Sequence, residues 1–146
     1  MKKLTTRFVI ATAALVVVAG VASAQIRATM TAQIPFEFRA GKQIMAPGTY
    51  QVDRLATQTS VPIYRLLDVH SRRSIALLAQ ASVDPRTGWT EENAKLVFAC
   101  TSGSCALAEL WDGSVSHPAY TFYGPKLGKG EDAYLKVIPM QRDKGE

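Results

Sequence analysis

Residues 26–38 read Ile26-Arg27-Ala28-Thr29-Met30-Thr31-Ala32-Gln33-Ile34-Pro35-Phe36-Glu37-Phe38. Even positions are apolar throughout, and odd positions carry Arg, Thr, Gln or Glu with one proline. Period two over thirteen residues is the signature of a strand with one buried face. Pro35 falls on the polar side and cannot donate to a ladder, so the strand is expected to lie at an edge or to bulge and bend there.

Outward from this stretch the pattern repeats in shorter pieces. Ala40-Gly41-Lys42 and Ala46-Pro47-Gly48 are turn signals, and residues 49–55 resume a strand with Tyr50 and Val52. Val61, Ile63, Leu67 and Val69 fall on one face, answered across the turn His70-Ser71-Arg72-Arg73 by Ile75, Leu77, Ala79 and Ala81, which predicts a hairpin. Residues 83–93, with Pro85, Gly88 and Trp89, read as a loop. Strand signals return at residues 95–100 and 105–111, around Tyr120 and Phe122, and at 134–138, with a Gly/Lys-rich loop at 124–130 before the last. No 3.6-residue apolar period appears after residue 24. The expected fold is all-β, a small antiparallel barrel or sandwich of about seven strands.

Cys100 and Cys105 bracket Thr101-Ser102-Gly103-Ser104, four turn formers between two strand-like flanks. Opposed positions across a hairpin mouth lie within disulfide reach, so a bridge is expected, with Phe98 opposite Leu107. A redox-active pair would want Cys-x-x-Cys spacing and a helix N-terminus. A zinc site needs more ligands than these cysteines, His70 and His117 provide, so no metal site is expected.

The chain of 146 residues is 47% hydrophobic and 20% charged, which excludes a disordered tail and a polytopic membrane protein. Its net charge of +5 is concentrated at the front: Lys2, Lys3 and Arg7 precede an uncharged apolar run that ends in Ala22-Ser23-Ala24. That order of basic, apolar and small residues predicts a secretory signal peptide over residues 1–24, cleaved after Ala24. The run is shorter than the roughly 20 apolar residues of a membrane-spanning helix. A single β domain over residues 25–140 and a charged tail over 141–146 complete the expected organisation. Beyond the leader the charge is nearly balanced, and Arg72, Arg73, Lys126 and Lys129 are not interleaved with aromatics, so no nucleic-acid partner is expected. The location that follows is periplasmic or extracellular.

The segment Ile34-Pro35-Phe36-Glu37-Phe38, then Gly41, then Pro47-Gly48-Thr49-Tyr50-Gln51-Val52 resembles a family of small exported bacterial β-proteins of uncharacterised function. In that family an IPFxF segment precedes a PAGxYxV turn and strand; here Ala-Pro-Gly stands in place of Pro-Ala-Gly. The resemblance implies a β fold and export, and it implies no catalytic residue.

Chemistry-bearing patterns are sparse. Gly128-Lys129-Gly130-Glu131-Asp132-Ala133 has the spacing of a dinucleotide-binding turn but no room for the helix and distal acid such a site needs, so no cofactor is expected. His117 with Asp112, and His70 with Asp68, could serve as base and orienter, but no G-x-S-x-G elbow accompanies them. No catalytic residue is assigned. Arg65, on the otherwise apolar row of Val61, Ile63, Leu67 and Val69, is a candidate clamp for an anionic ligand; the competing reading pairs it with a carboxylate such as Glu109. Trp89, Tyr120 and Tyr123 are candidate binding aromatics. The expected function is a non-enzymatic binding or structural module in the cell envelope or outside the cell. The rival readings are a small secreted hydrolase, a small-molecule carrier, and a homo-oligomer assembled through the strand at residues 26–34.

Overall fold

In β1 (Met30–Ile34) the alternation buries Met30, Ala32 and Ile34 and exposes Gln33, the inside-outside order that period two dictates. The computed structural model describes residues 29–90, 93–124 and 130–143. Ten strands follow β1: β2 (Phe38–Ala40), β3 (Gln43–Met45), β4 (Gly48–Leu55), β5 (Ile63–Asp68), β6 (Ser74–Leu78), β7 (Ala81–Val83), β8 (Lys95–Cys100), β9 (Cys105–Trp111), β10 (Ala119–Thr121) and β11 (Tyr134–Arg142). No described residue is helical, so the all-β expectation holds.

The strands run β3-β2-β9-β8-β11-β1-β4-β5-β6. From β6 the chain passes through Ala79 and Gln80 into β7, which pairs with β10, and β10 returns to β9. Gln80 N donates to Thr121 O and tightens that seam. The result is a nearly closed barrel. Two long segments make its corners: β11 pairs with β8 through residues 134–139 and with β1 through 140–142. The segment β6–β7 likewise pairs first with β5 and then with β10.

Five readings of the sequence need correction. The strand expected over residues 26–38 stops at Pro35, whose missing N–H ends the ladder. The chain then turns, and β2 joins β9 in the only parallel pairing of the described strands. Residues 26–28 lie outside the described part. β1 is not an edge, since β4 and β11 occupy both its sides; assembly through it would have to displace one of them. Short pieces such as β2, β3 and β7 bring the count to eleven rather than about seven. Gln141 and Arg142, expected in a charged tail, pair with Thr31 and Met30 as the end of β11.

The phase of β5 is the fifth. Tyr64, Leu66 and Asp68 face inward and are buried, while Val61 and Val69 remain about two-fifths exposed. The aliphatic odd row lies on the outside of the barrel.

The cysteine hairpin forms as expected. Cys100 and Cys105 are bonded with Cα atoms 4.0 Å apart, and Phe98 stands opposite Leu107. Between Val97 and Phe98 a bulge shifts the register, so that Val97 faces Glu109 and Lys95 faces Trp111. Val97, Glu109 and Trp111 form a buried patch on the outer surface of β8–β9, where Trp89 stacks on Trp111 at 5.4 Å and Arg86 reaches Glu109 at 2.7 Å.

Candidate functional site

The inward rows of several strands change character at one end of the barrel. In β4 the row runs Tyr50, Val52, then Arg54; in β11 it runs Met140, then Arg142; from β9 it runs Leu110, then Asp112. Register fixes these at a common level: Met30 lies opposite both Val52 and Arg142, and Arg54 lies opposite Tyr64. Period two, which fills the core with apolar side chains, here delivers two guanidinium groups to the rim. They line a pocket of about 300 Å³. Its apolar wall is Met30, Leu55 and Ala56, and Tyr64, Asp112 and His117 complete it.

The floor is Tyr64, whose ring packs against Tyr120 at 5.8 Å and Phe122 at 6.3 Å. Burial, reinforced by the negative charge of Asp112 and opposed by Arg54, raises the Tyr64 phenol far above its ordinary value. It therefore stays protonated across the physiological range and remains a neutral hydrogen-bond donor.

One side of the mouth is built by the loop after β9. Asp112 Oδ1 accepts from Ser114 N at 2.9 Å, and its Oδ2 meets His117 Nδ1 at 2.6 Å. Gly113 sits at φ +83°, and a Cβ there would come within 2.8 Å of the backbone nitrogen of Ala94, so glycine is required twice over. The Trp111 indole donates to the carbonyls of Ser114 and His117, tying the loop to the outer face. Arg142 Nη2 donates to Asp112 O at 2.9 Å, tying it to β11.

The residues singled out in the sequence are not gathered here. Arg65 points outward, because β5 runs in the opposite phase from the one its aliphatic residues suggested. It makes a two-pronged ion pair with Asp53, Nε to Oδ1 at 2.9 Å and Nη2 to Oδ2 at 3.0 Å; it does not meet Glu109, which belongs to Arg86. Trp89 lies on the outer surface against Trp111. Tyr120 supports Tyr64 from behind, and Tyr123 is 77% exposed. His70 contributes its backbone N–H, not its ring, to Asp68. Asp112 with His117 is the combination that the fold does bring together. Arg54 and Arg142 were missed, although each stands two residues beyond an inward apolar position, at Val52 and Met140.

Chemically the site offers cationic and neutral donors around an apolar floor. The serine hydroxyls nearest in sequence to His117, those of Ser114 and Ser116, bond each other at 2.8 Å. Among the described residues no group of three or more His, Cys, Asp or Glu could hold a metal ion. Nor, among them, is any helix long and apolar enough to cross a membrane. No family model, curated protein or solved structure matches this chain.

Proposed function

We propose that the protein is an exported, non-catalytic binding module whose ligand enters the open end of the barrel. The observation that carries this reading is the concerted change of the inward rows, which puts Arg54 and Arg142 over a buried aromatic floor in a concave end. A few convergent polar groups on an apolar pocket are the general form of a small-molecule site. Export, to the periplasm or beyond the cell, is supported by the leader-like pattern of residues 1–24 and by the Cys100–Cys105 bridge, a bond that persists in oxidising compartments. The resemblance of residues 34–52 to exported bacterial β-proteins points the same way.

The test is amide chemical-shift mapping of the oxidised protein against a library of small fragments. Shifts are expected to cluster on Met30, Arg54, Tyr64, His117 and Arg142. Clustering instead on the outer patch of Trp89 and Trp111 sinks the proposal.

The close Asp112–His117 contact favours a second reading, a hydrolase using the imidazole as base. It predicts turnover of an ester or peptide substrate that His117→Ala abolishes while leaving the melting temperature in place.

A further inference from the structure

We infer that residues 25–28, the segment that follows the predicted leader, act as a strap that continues β1 along β4 and lays Ile26 over the open end of the barrel, where a ligand must displace it. The inference rests on that end being the ligand site and adds how access to it is regulated.

The lane for the strap is set by the strands on either side of β1. Among the described residues β1 pairs with β4 from Gly48 to Val52, whereas β5 stays paired with β4 as far as Leu55. Val69 N donates to Thr49 O, so by antiparallel alternation the odd residues of β4 bond to β5, and Arg54 turns its backbone N–H and C=O to the β1 side. On the other flank Asp143 N donates to Thr29 O, which carries the β1–β11 ladder one residue past Met30. Continued beyond Thr29, the lane passes Arg54, Leu55 and Ala56, all three in the pocket wall.

The sequence of the segment suits that lane. Extending the register of Met30 with Val52 puts Ala28 opposite Arg54 and Ile26 opposite Ala56. Even residues of β1 face inward, so Ala28 and Ile26 join the row of Met30, and the small residues Ala28 and Ala56 leave room for the larger side chains opposite them. Arg27 falls on the outer face, where the same registers set Asp53 and Asp143 on either side of Thr29. Opposite charges on diagonal neighbours favour this register over a shifted one. Four extended residues span about 13 Å, enough to cross the mouth of a pocket of about 300 Å³. Because β4 ends at Leu55, the strap gains a single hydrogen-bonded position on it, Ala28 with Arg54, and so can be displaced.

Amide hydrogen exchange of the oxidised exported protein, beside the same protein with residues 25–28 deleted, tests the strap, and p-cresol, a neutral single ring, probes the site. The Arg54 amide is expected to exchange at least about tenfold faster after the deletion, while Val52, opposite Met30, keeps its protection and shows the barrel intact. Ala28→Pro, which removes a ladder N–H, is expected to act in the same direction. p-Cresol is expected to shift Met30 and Tyr64 in both proteins and to bind the shortened one about fivefold more tightly, since a backbone pairing no longer has to be broken. Equal exchange of Arg54 in the two proteins overturns the strap, and p-cresol shifts at Met30 and Tyr64 then leave the ligand site standing. Faster exchange of Arg54 with equal p-cresol affinity overturns the control of access. Absence of p-cresol shifts at the pocket in either protein removes the site and the regulation with it. If the deletion also strips Val52 of protection, Ala28→Pro decides, and unchanged exchange of Arg54 in that variant overturns the inference.

Discussion

The two ends of the barrel are built from the same alternating rows and end differently. At one end the inward positions are aromatic: Phe38 lies edge-on to Phe98 at 5.2 Å and to Tyr50 at 5.3 Å, and Phe36 stands perpendicular to Phe98 at 5.2 Å. The Tyr50 hydroxyl donates to Ala46 O, the Lys136 ammonium lies 4.6 Å above Phe36, and the Cys100–Cys105 bridge ties the adjoining hairpin. At the other end the rows give Arg54, Arg142 and Asp112, and a pocket remains. Rings that meet edge to face exclude water and add contact energy, whereas long charged side chains at a rim keep their heads toward solvent. The first end is closed by packed rings, and the second is left concave.

Removing a ring is the strongest way to break that contrast. Phe98 is fully buried and touches both Phe36 and Phe38. Phe98→Ala is expected to cost about 3–5 kcal/mol of unfolding free energy by urea titration, through lost transfer energy and the cavity left behind. A loss below about 1 kcal/mol, small for a core truncation, would show that the aromatic plug does not carry the fold.

The bridge at the same end comes next. It closes a short loop, so the double substitution Cys100→Ser with Cys105→Ser is expected to lower stability by about 2 kcal/mol in the chain-entropy model. Urea midpoints for the two forms measure it. An unchanged midpoint would mean that the turn from Thr101 to Ser104, closed by Thr101 N to Ser104 O at 2.8 Å, already holds the hairpin.

The aromatic end was far more legible in the sequence than the open one, and the reason is range. Cys100, Cys105, Phe98 and Leu107 declare themselves within a single hairpin, where turn chemistry fixes the register. Asp112 and His117 likewise share one loop, so their pairing could be anticipated. Arg54 and Arg142 belong to strands far apart in the chain, and only the barrel brings their inward rows to one rim. The phase of β5 failed for a related reason. Val61, Ile63, Leu67 and Val69 outnumber Tyr64 and Leu66 as aliphatics, and strand propensity alone cannot say which face the barrel covers. That one-residue inversion is what placed Arg65 on the inner face in the expected strand, whereas it lies outside against Asp53.

Each end also has an aspartate at a turn, and the pair sharpens the contrast with the smallest expected effect. Asp112 shares its oxygens between one backbone N–H and a half-exposed imidazole at the pocket mouth. Asp68, opposite Tyr50, spends its carboxylate on its own hairpin turn: Ser71 Oγ at 2.7 Å, His70 N at 2.9 Å and Ser71 N at 3.2 Å. These bonds, the Ser71 hydroxyl first, lower the Asp68 carboxyl below its ordinary value against the opposing pull of burial. A carboxyl depressed in the folded state stabilises the protein above its unfolded value, and that share is lost as the pH falls through the folded one. Asp68→Asn is therefore expected to be less stable than the parent near neutrality and to converge with it below about pH 4, where an ordinary carboxyl protonates. Melting temperatures of both proteins from pH 7 down to pH 3 decide the matter. A constant gap would place the effect in packing rather than in charge. No gap at all would assign the turn to its backbone bonds, Asp68 N to Arg73 O and Arg72 N to Asp68 O, which the substitution leaves intact.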